Sequence, residues 1–503
     1  MHSCFPNDRR RRSAFALPAA LLLAGLLLPS ACFAQEQADT RRLLDQRIDQ
    51  QAQARERELL KDELDTERPT LTIDGERHVI GHNVDDVGRA LYLALQQRQW
   101  GLAAHFLNEY LTLPNHDKLL VHYAQGGLLR IQGKHAQAAT EYRALLALQP
   151  DFMPARLELA RTLFEDQQDR EADALFAEVG TSIDANDPKT EGVRTTIASF
   201  RQALAQREGW SGSYAAGPSW TDNANRTSAS RTCLLLLVTG DCLIERKLPE
   251  AITATGIDYD ATLNKRHALG GHHGVYLRAL AFGQNYRDNS AYNELNAAVQ
   301  AGYSFRSARH TVALAPSFDY YALGNSALFG APGVHAEWSW TPGQRSMLKL
   351  EADWKDLSYR QRDYARNLDG VQRTASATYF RSLGSHWMAF GGLDALDSDA
   401  RDRSNNYRSL GARLGASLQW PEGFSHTLFA SYRRRSYDLY SPMLGVRRDD
   451  DERNYTLIIK AKRLAFAGFT PLLSLRYNVV SSNVDWLYSY DRSTASLKLE
   501  RSF

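Results

Sequence analysis

The sequence predicts an α + β multidomain chain, with N-terminal tetratricopeptide-like helical repeats followed by a 14-stranded antiparallel transmembrane β-barrel. Three observations carry this. Small and aromatic residues recur every 34 positions within 83–206. From Trp210 onward, segments of ten to fourteen residues alternate apolar with polar side chains, and short connections take turns with long ones. The chain ends on Phe503, behind alternate apolar positions at Leu499, Leu497 and Ala495.

Composition sets the bounds. The 503 residues are 43% hydrophobic and 23% charged, too apolar for wholesale disorder. Beyond the N-terminus no apolar run approaches the roughly 18 residues of a membrane helix, which excludes a polytopic helical membrane protein. A barrel is not excluded, because its strands are apolar on one face only. Aromatic residues reach 10%, with 23 Tyr and 9 Trp, which suits interfacial girdles.

Residues 1–34 read as a secretory signal: Arg9–Arg12, an apolar stretch from Ala14 to Leu28, then Cys32-Phe33-Ala34 as a cleavage site. Four Arg and one Asp leave with it, so the net charge falls from +2 to −1 and nothing points to nucleic acid. Cys4 and Cys32 leave too. Cys233 and Cys242 remain, nine apart, and in an exported chain such a pair reads as a disulfide before a metal site.

Residues 35–82 form a charged arm and linker, read as a solvated helix or flexible segment, with a partner-binding helix, or a plug for the inner face of the barrel, as the alternatives. Residues 83–206 carry the helical repeats. Ala104, Ala138 and Ala172 are 34 apart, as are Tyr142 and Phe176, and Gly126 and Ala160. Small residues let paired helices approach, and the aromatic fills the gap to the next pair. The first helix of each pair lines the concave face, which makes Tyr123, Arg130 and Arg161 the candidate client-binding residues.

Residues 210–503 form the barrel. Short turns fall near Ala308 and at TPGQ (341–344), LGSH (383–386), PEGF (421–424) and AGF (467–469). Between them lie polar connections read as long loops: NYRDNSAYN, ALGNSALFGAPG, LSYRQRDYARNLDG, LDSDARDRSNN and YDLYSPMLGVRRDDDE. An even strand count returns the C-terminus to the side of the repeats. Phe503 reads as the signal for the barrel-assembly machinery, with Arg501 departing from the usual apolar residue and free to snorkel. Arg433–Arg435 and Arg447–Asp451 read as polar lumen or as a ring contacting substrate.

Catalytic motifs are missing: no HExxH, no GxSxG and no phosphate loop, so neither an enzyme nor a cofactor is expected. His272 and His273 are neighbours on a strand and point to opposite faces, which argues against a shared metal.

The strings GVRRDDDERNY (445–455), AGFTP (467–471) and SSNVDWLYSYDRSTASLKLERSF (481–503) resemble the surface lipoprotein assembly modulator family, Slam. TIDGERHVIG (72–81), AHFLNEYLTLPNHDKLLVHYAQGGLLR (104–130) and QPDFMPARLELARTLFEDQQDREADALF (149–176) agree, so the resemblance covers roughly 70–503. The matching motif residues are Arg447, Arg448, Asp449, Gly468, Phe469, Pro471, Ser482 and Asn483. The resemblance implies a monomeric barrel in the outer-membrane lipid with its repeats in the periplasm. It implies delivery of a client, a surface lipoprotein or a secreted haem- or iron-acquisition protein, to the cell surface. The alternatives are a polysaccharide exporter, a passive porin and a host-binding adhesin. Cys233, Cys242 and the arm lie outside the resemblance.

Overall fold

The computed structural model describes residues 30–60, 82–184, 187–236 and 241–503. Residues 1–29 of the expected signal lie outside these, as do TIDGERHVIG and most of the linker. Helix α1 spans Ser30–Leu59. Six helices follow as three antiparallel pairs: α2 (Val84–Gln96) with α3 (Trp100–Tyr110), α4 (Lys118–Ile131) with α5 (His135–Leu148), and α6 (Met153–Glu165) with α7 (Asp169–Ser182). Helix α8 (Glu191–Glu208) caps the array, with Phe200 packed on Phe164 and Phe176.

Asn83 and Asp117 start α2 and α4 by accepting the N–H groups of Asp86 and Leu119, each at 2.8 Å. Ala138 and Ala172 are fully buried, and a Cβ on Gly126 would stand 2.8 Å from the Tyr142 ring. The first pair slips out of the 34-residue phase. Its buried alanine is Ala103, not Ala104, and its aromatic is Tyr110, packed over Gly88.

The barrel strands in chain order are β1 (Ser211–Thr221), β4 (Ala254–Gly270), β5 (His273–Tyr286), β6 (Glu294–Arg306), β7 (His310–Leu323), β8 (Ser326–Gly343) and β9 (Ser346–Tyr359). They continue as β10 (Gly370–Ser382), β11 (Trp387–Ala400), β12 (Tyr407–Gln419), β13 (Phe424–Ser441), β14 (Val446–Ala461), β15 (Thr470–Ser482) and β16 (Tyr490–Ser502). All 14 pair antiparallel with their neighbours, and β1 closes the ring against both β4 and β16. Alternation sorts the faces. In β16, Arg492, Thr494, Ser496, Lys498 and Glu500 are buried inside, while Leu497 and Leu499 are exposed outside. Exposed Trp340, Trp387, Trp420 and Phe503 lie towards one end, and Trp220 and Trp354 towards the other.

The short turns expected from the sequence all lie at the end carrying the helical domain. At the far end several expected loops are mostly strand. ALGNSALFGAPG is a tight hairpin in which Gly324 and Asn325 both take positive φ, as a two-residue turn between twisted strands requires. Likewise β13 and β14 run on to Ser441 and from Val446, so YDLYSPMLGVRRDDDE is wall apart from a four-residue turn at 442–445. Polar residues mark both loops and strands that extend beyond the apolar belt, so polarity alone misassigned them.

The β1–β4 connection carries a separate hairpin, β2 (Arg231–Leu236) and β3 (Cys242–Lys247), closed by the Cys233–Cys242 disulfide. Thiol labelling of membrane-extracted protein, denatured without reductant, is expected to find no free cysteine. Stoichiometric labelling would reject the bond.

Candidate functional site

The lumen is filled. Instead of the solvated arm expected from its charge, α1 runs up the barrel axis, and its charges meet the wall on every side. Arg41 pairs with Asp319 on β7 at 2.5 Å, and Asp39 with Arg433 on β13 at 2.5 Å. Arg47 lies 3.3 Å from Asp260 on β4 and 3.5 Å from Glu500 on β16. Arg42 reaches Asp394 on β11 at 3.6 Å, while Asp45 and Asp49 face Arg278 on β5 at 3.9 and 3.5 Å. Two adjacent leucines supply the apolar grip. Leu43 packs against Phe380, Phe390 and Phe429, and Leu44 is buried with Leu280, Phe282 and Ala298. A helix polar all round is unstable alone but fits a charged tube.

The wall charges do not depend on α1. Asp319 also pairs with Lys355 at 2.6 Å, Glu500 with Lys460 at 2.5 Å, and Asp260 with Lys498. Asp394 holds both Arg413 at 2.9 Å and Arg433 at 2.8 Å, and Arg278 has Glu337 at 3.4 Å. Stripping a buried charge of its sole partner costs about 3–5 kcal/mol. Here each wall group that loses α1 keeps a second partner of opposite sign, so the helix can leave without stranding a charge.

At its foot α1 meets the helical domain. Glu56 pairs with Arg207 of α8 at 2.7 Å, and Arg207 holds Asp169 of α7 at 2.6 Å. Asp169 in turn pairs with Arg266 of β4 at 3.2 Å, and the β4–β5 turn is clasped by Glu171 on the Gly271 N–H (2.7 Å) and Asp166 on His272 (3.0 Å). His273 turns to the Tyr303 hydroxyl at 2.6 Å, so the adjacent histidines serve different partners.

Of the candidate client-binding residues, Arg130 and Arg161 are buried and converge on Glu158, at 3.3 and 3.8 Å, and Arg130 also holds Glu165 at 2.6 Å. Tyr123 packs edge-on against Tyr142 and Phe152, and burial, with Glu158 nearby, raises its phenol pKa above the usual range. All three are thus engaged from within.

The motif residues separate into two clusters. At the far end Asn483 clamps the start of β14: its side chain accepts from the Asp449 N–H at 2.9 Å and donates to the Arg447 carbonyl at 2.7 Å. The Ser482 hydroxyl accepts from the Val484 N–H at 3.1 Å. Arg448 pairs with Asp450 at 2.8 Å and lies 3.3 Å over the Tyr488 ring. Near the helical domain, Ala467 and Gly468 take positive φ in the turn before Pro471, and Phe469 sits edge-on to Tyr214 with Arg501 above it at 5.7 Å. Phe503 completes the ring closure by exchanging backbone hydrogen bonds with Gly212 at 3.0 and 3.1 Å. Replacing Asn483 with Ala is expected to lower local stability by about 1 kcal/mol. Trypsin cleavage at Arg447–Arg448 should then quicken about fivefold while the barrel stays folded.

Sequence reasoning placed Arg433 in the lumen but missed its partner on α1, along with the wall partners Asp319 and Asp394 and the grip of the helix's own Leu43 and Leu44. The available signal was a pair of leucines inside a charged run, together with charges at alternate positions on the strands.

Known proteins agree with this architecture. The family model for the surface lipoprotein assembly modifier matches residues 210–503, and that for its N-terminal tetratricopeptide repeats matches 74–176. The hemophilin secretion modulator of Acinetobacter baumannii is 38% identical over 498 residues, covering 96% of this chain and 99% of that one. Surface lipoprotein assembly modifier 1 of Haemophilus influenzae is 28% identical, covering 83% and 85%. Its namesake in Neisseria meningitidis is 27% identical, covering 95% of each chain. With repeats, 14-stranded barrel and these matches in the same order, the chain belongs to the surface lipoprotein assembly modifier family.

Proposed function

We propose that the chain is an outer-membrane translocator that carries a client protein from the periplasm to the cell surface. The observation that carries this is the lumen closed by a helix whose wall partners all have substitutes. A passive porin has no use for such a helix. The client classes follow from the relatives' names: a secreted protein, as for the hemophilin secretion modulator, or a surface lipoprotein.

In this reading the signal peptide exports the chain, the assembly machinery recognises the Phe503 end, and the helical domain stands in the periplasm. Tyr123, Arg130 and Arg161 support its capture surface from beneath, fixing Glu158. Client docking there disturbs the Arg207 cluster, which ties the foot of α1 to the repeats. The helix then withdraws, and the client enters the space it leaves. No nucleotide is needed, since client folding outside gives direction.

The test is a deletion strain carrying epitope-tagged candidate clients encoded beside this chain. Surface labelling of one of them should fall to background and return with the gene. Unchanged display of every candidate would sink the reading.

A further inference from the structure

The barrel rim beside the helical domain is basic on its outside. Six cations ring it: Lys265 near the end of β4, Arg345 in the β8–β9 turn, Arg381 near the end of β10, Lys462 and Arg463 after β14, and Arg501 near the end of β16. Alternation turns Lys265, Arg381 and Arg501 outward, since their neighbours Arg266, Phe380 and Glu500 are buried inside. Among the described barrel residues, Glu422 is the one carboxylate that faces outward or stands in a turn on this rim. None of the six cations is paired with a carboxylate among the described residues. Instead Lys265 and Arg501 lie over the rings of Trp210 and Phe469 at 5.0 and 5.7 Å, and Arg381 donates to the Ser346 hydroxyl at 2.7 Å. The opposite rim differs. There the outward Arg373 pairs with Asp397 and Asp399 at 2.9 and 2.7 Å, and Arg408 with Asp397 at 3.3 Å.

We propose that this basic belt binds the headgroups of anionic phospholipids in the leaflet beside the helical domain. Position selects lipid as the occupant. The cations are interleaved with exposed Trp387, Trp420, Phe466 and Phe503, and outward side chains among the girdle aromatics of a membrane barrel stand at headgroup level. An acidic segment of a client would meet the inner mouth rather than this outer wall. Sign then selects the headgroup. A zwitterionic headgroup has no net charge to offer six unpaired cations. Phosphatidylglycerol and cardiolipin do, and each Lys or Arg near the surface adds to the attraction. Lys462, Arg463 and Arg501 form the densest part of the belt. Arg501 leans over the β14–β15 turn, its side chain 3.7 Å from where a Cβ on Gly468 would stand. Exposed Leu464, Phe466 and Phe503 beside them offer apolar surface to the upper acyl chains. Two phosphates on one headgroup suit three cations so placed, which favours cardiolipin. That this leaflet is the periplasmic one rests on the translocator reading; the headgroup chemistry does not.

The test uses the purified full-length protein in an uncharged detergent. The probes are fluorescent cardiolipin and phosphatidylcholine carrying the same label, followed by anisotropy. Saturable binding of cardiolipin is expected, at least about tenfold tighter than that of phosphatidylcholine. It should weaken about tenfold in Lys462→Gln with Arg463→Gln and Arg501→Gln, and measurably in Arg345→Gln with Arg381→Gln, which leaves the chain terminus untouched. Arg373→Gln with Arg408→Gln on the opposite rim should bind as the parent does. Heat-modifiable gel mobility checks that each barrel is folded. Equal affinity for the two lipids, or equal cardiolipin binding by the parent and both near-rim variants, overturns the belt. Displacement by excess inorganic phosphate would make it a simple anion site, and displacement by a glutamate-rich peptide a protein site; either overturns the lipid assignment. Client display in the deletion strain is scored separately. Cardiolipin binding that holds while display proves independent of this chain would reject the translocator reading and leave the belt standing.

Discussion

Fixing α1 to the barrel wall should abolish client display. The Ser431 hydroxyl of β13 donates to the Asp39 carboxylate at 2.7 Å, so Asp39→Cys with Ser431→Cys sets two thiols facing each other across the lumen wall. Losing the Asp39 charge leaves Arg433 its bond to Asp394 at 2.8 Å, so the reduced variant should fold and work. Oxidised, the helix stays in the lumen. An α-helix with its side chains is about 10–12 Å across, and the wall already touches it on every face, so no second chain fits beside it. Surface display should fall at least about tenfold and recover on reduction, a change worth roughly 1.4 kcal/mol or more if read as an equilibrium. Equal display by the oxidised and reduced forms would show that clients bypass the lumen.

That experiment concerns an element whose charge made it read first as a solvated arm. The barrel was legible because a period of two survives in strands such as β16, where Lys498 and Glu500 turn inward and Leu497 and Leu499 outward. The repeats were legible where Gly126 and Tyr142, or Ala160 and Phe176, keep their spacing, and blurred where Ala103 and Tyr110 slip phase. Helix α1 has no such face. Its partners are Asp260, Asp319, Asp394 and Glu500, spread over 240 positions of sequence, and only closure of the ring brings them together. A charged run reads as solvated when its counter-charges are invisible. The motif residues show the same limit. Arg447 and Asn483 belong to one clamp and Phe469 and Pro471 to the opposite end, which their order in the chain does not reveal.

Deleting residues 35–206 should separate insertion from delivery. Ring closure depends on contacts inside the barrel: β1 against β4 and β16, and the Phe503–Gly212 backbone pair. The lumenal charges also remain balanced once α1 is gone, because Asp319, Glu500, Asp260 and Asp394 keep Lys355, Lys460, Lys498 and Arg413. The truncated chain, given a signal peptide, should therefore insert and migrate as a folded barrel. What it loses is the plug and the capture domain together. In planar bilayers the full chain should show low, flickering conductance, and the truncated one a steady, larger conductance, since 14 strands enclose more space than their own side chains fill. Client display should drop to background in the same cells. Removing only residues 35–60 discriminates between the two losses: conductance should rise as before, while the repeats still hold clients at the inner mouth. Should the 35–206 deletion support full display, capture by the repeats is wrong. Should the 35–60 deletion stay as tight as the full chain, α1 is not the seal.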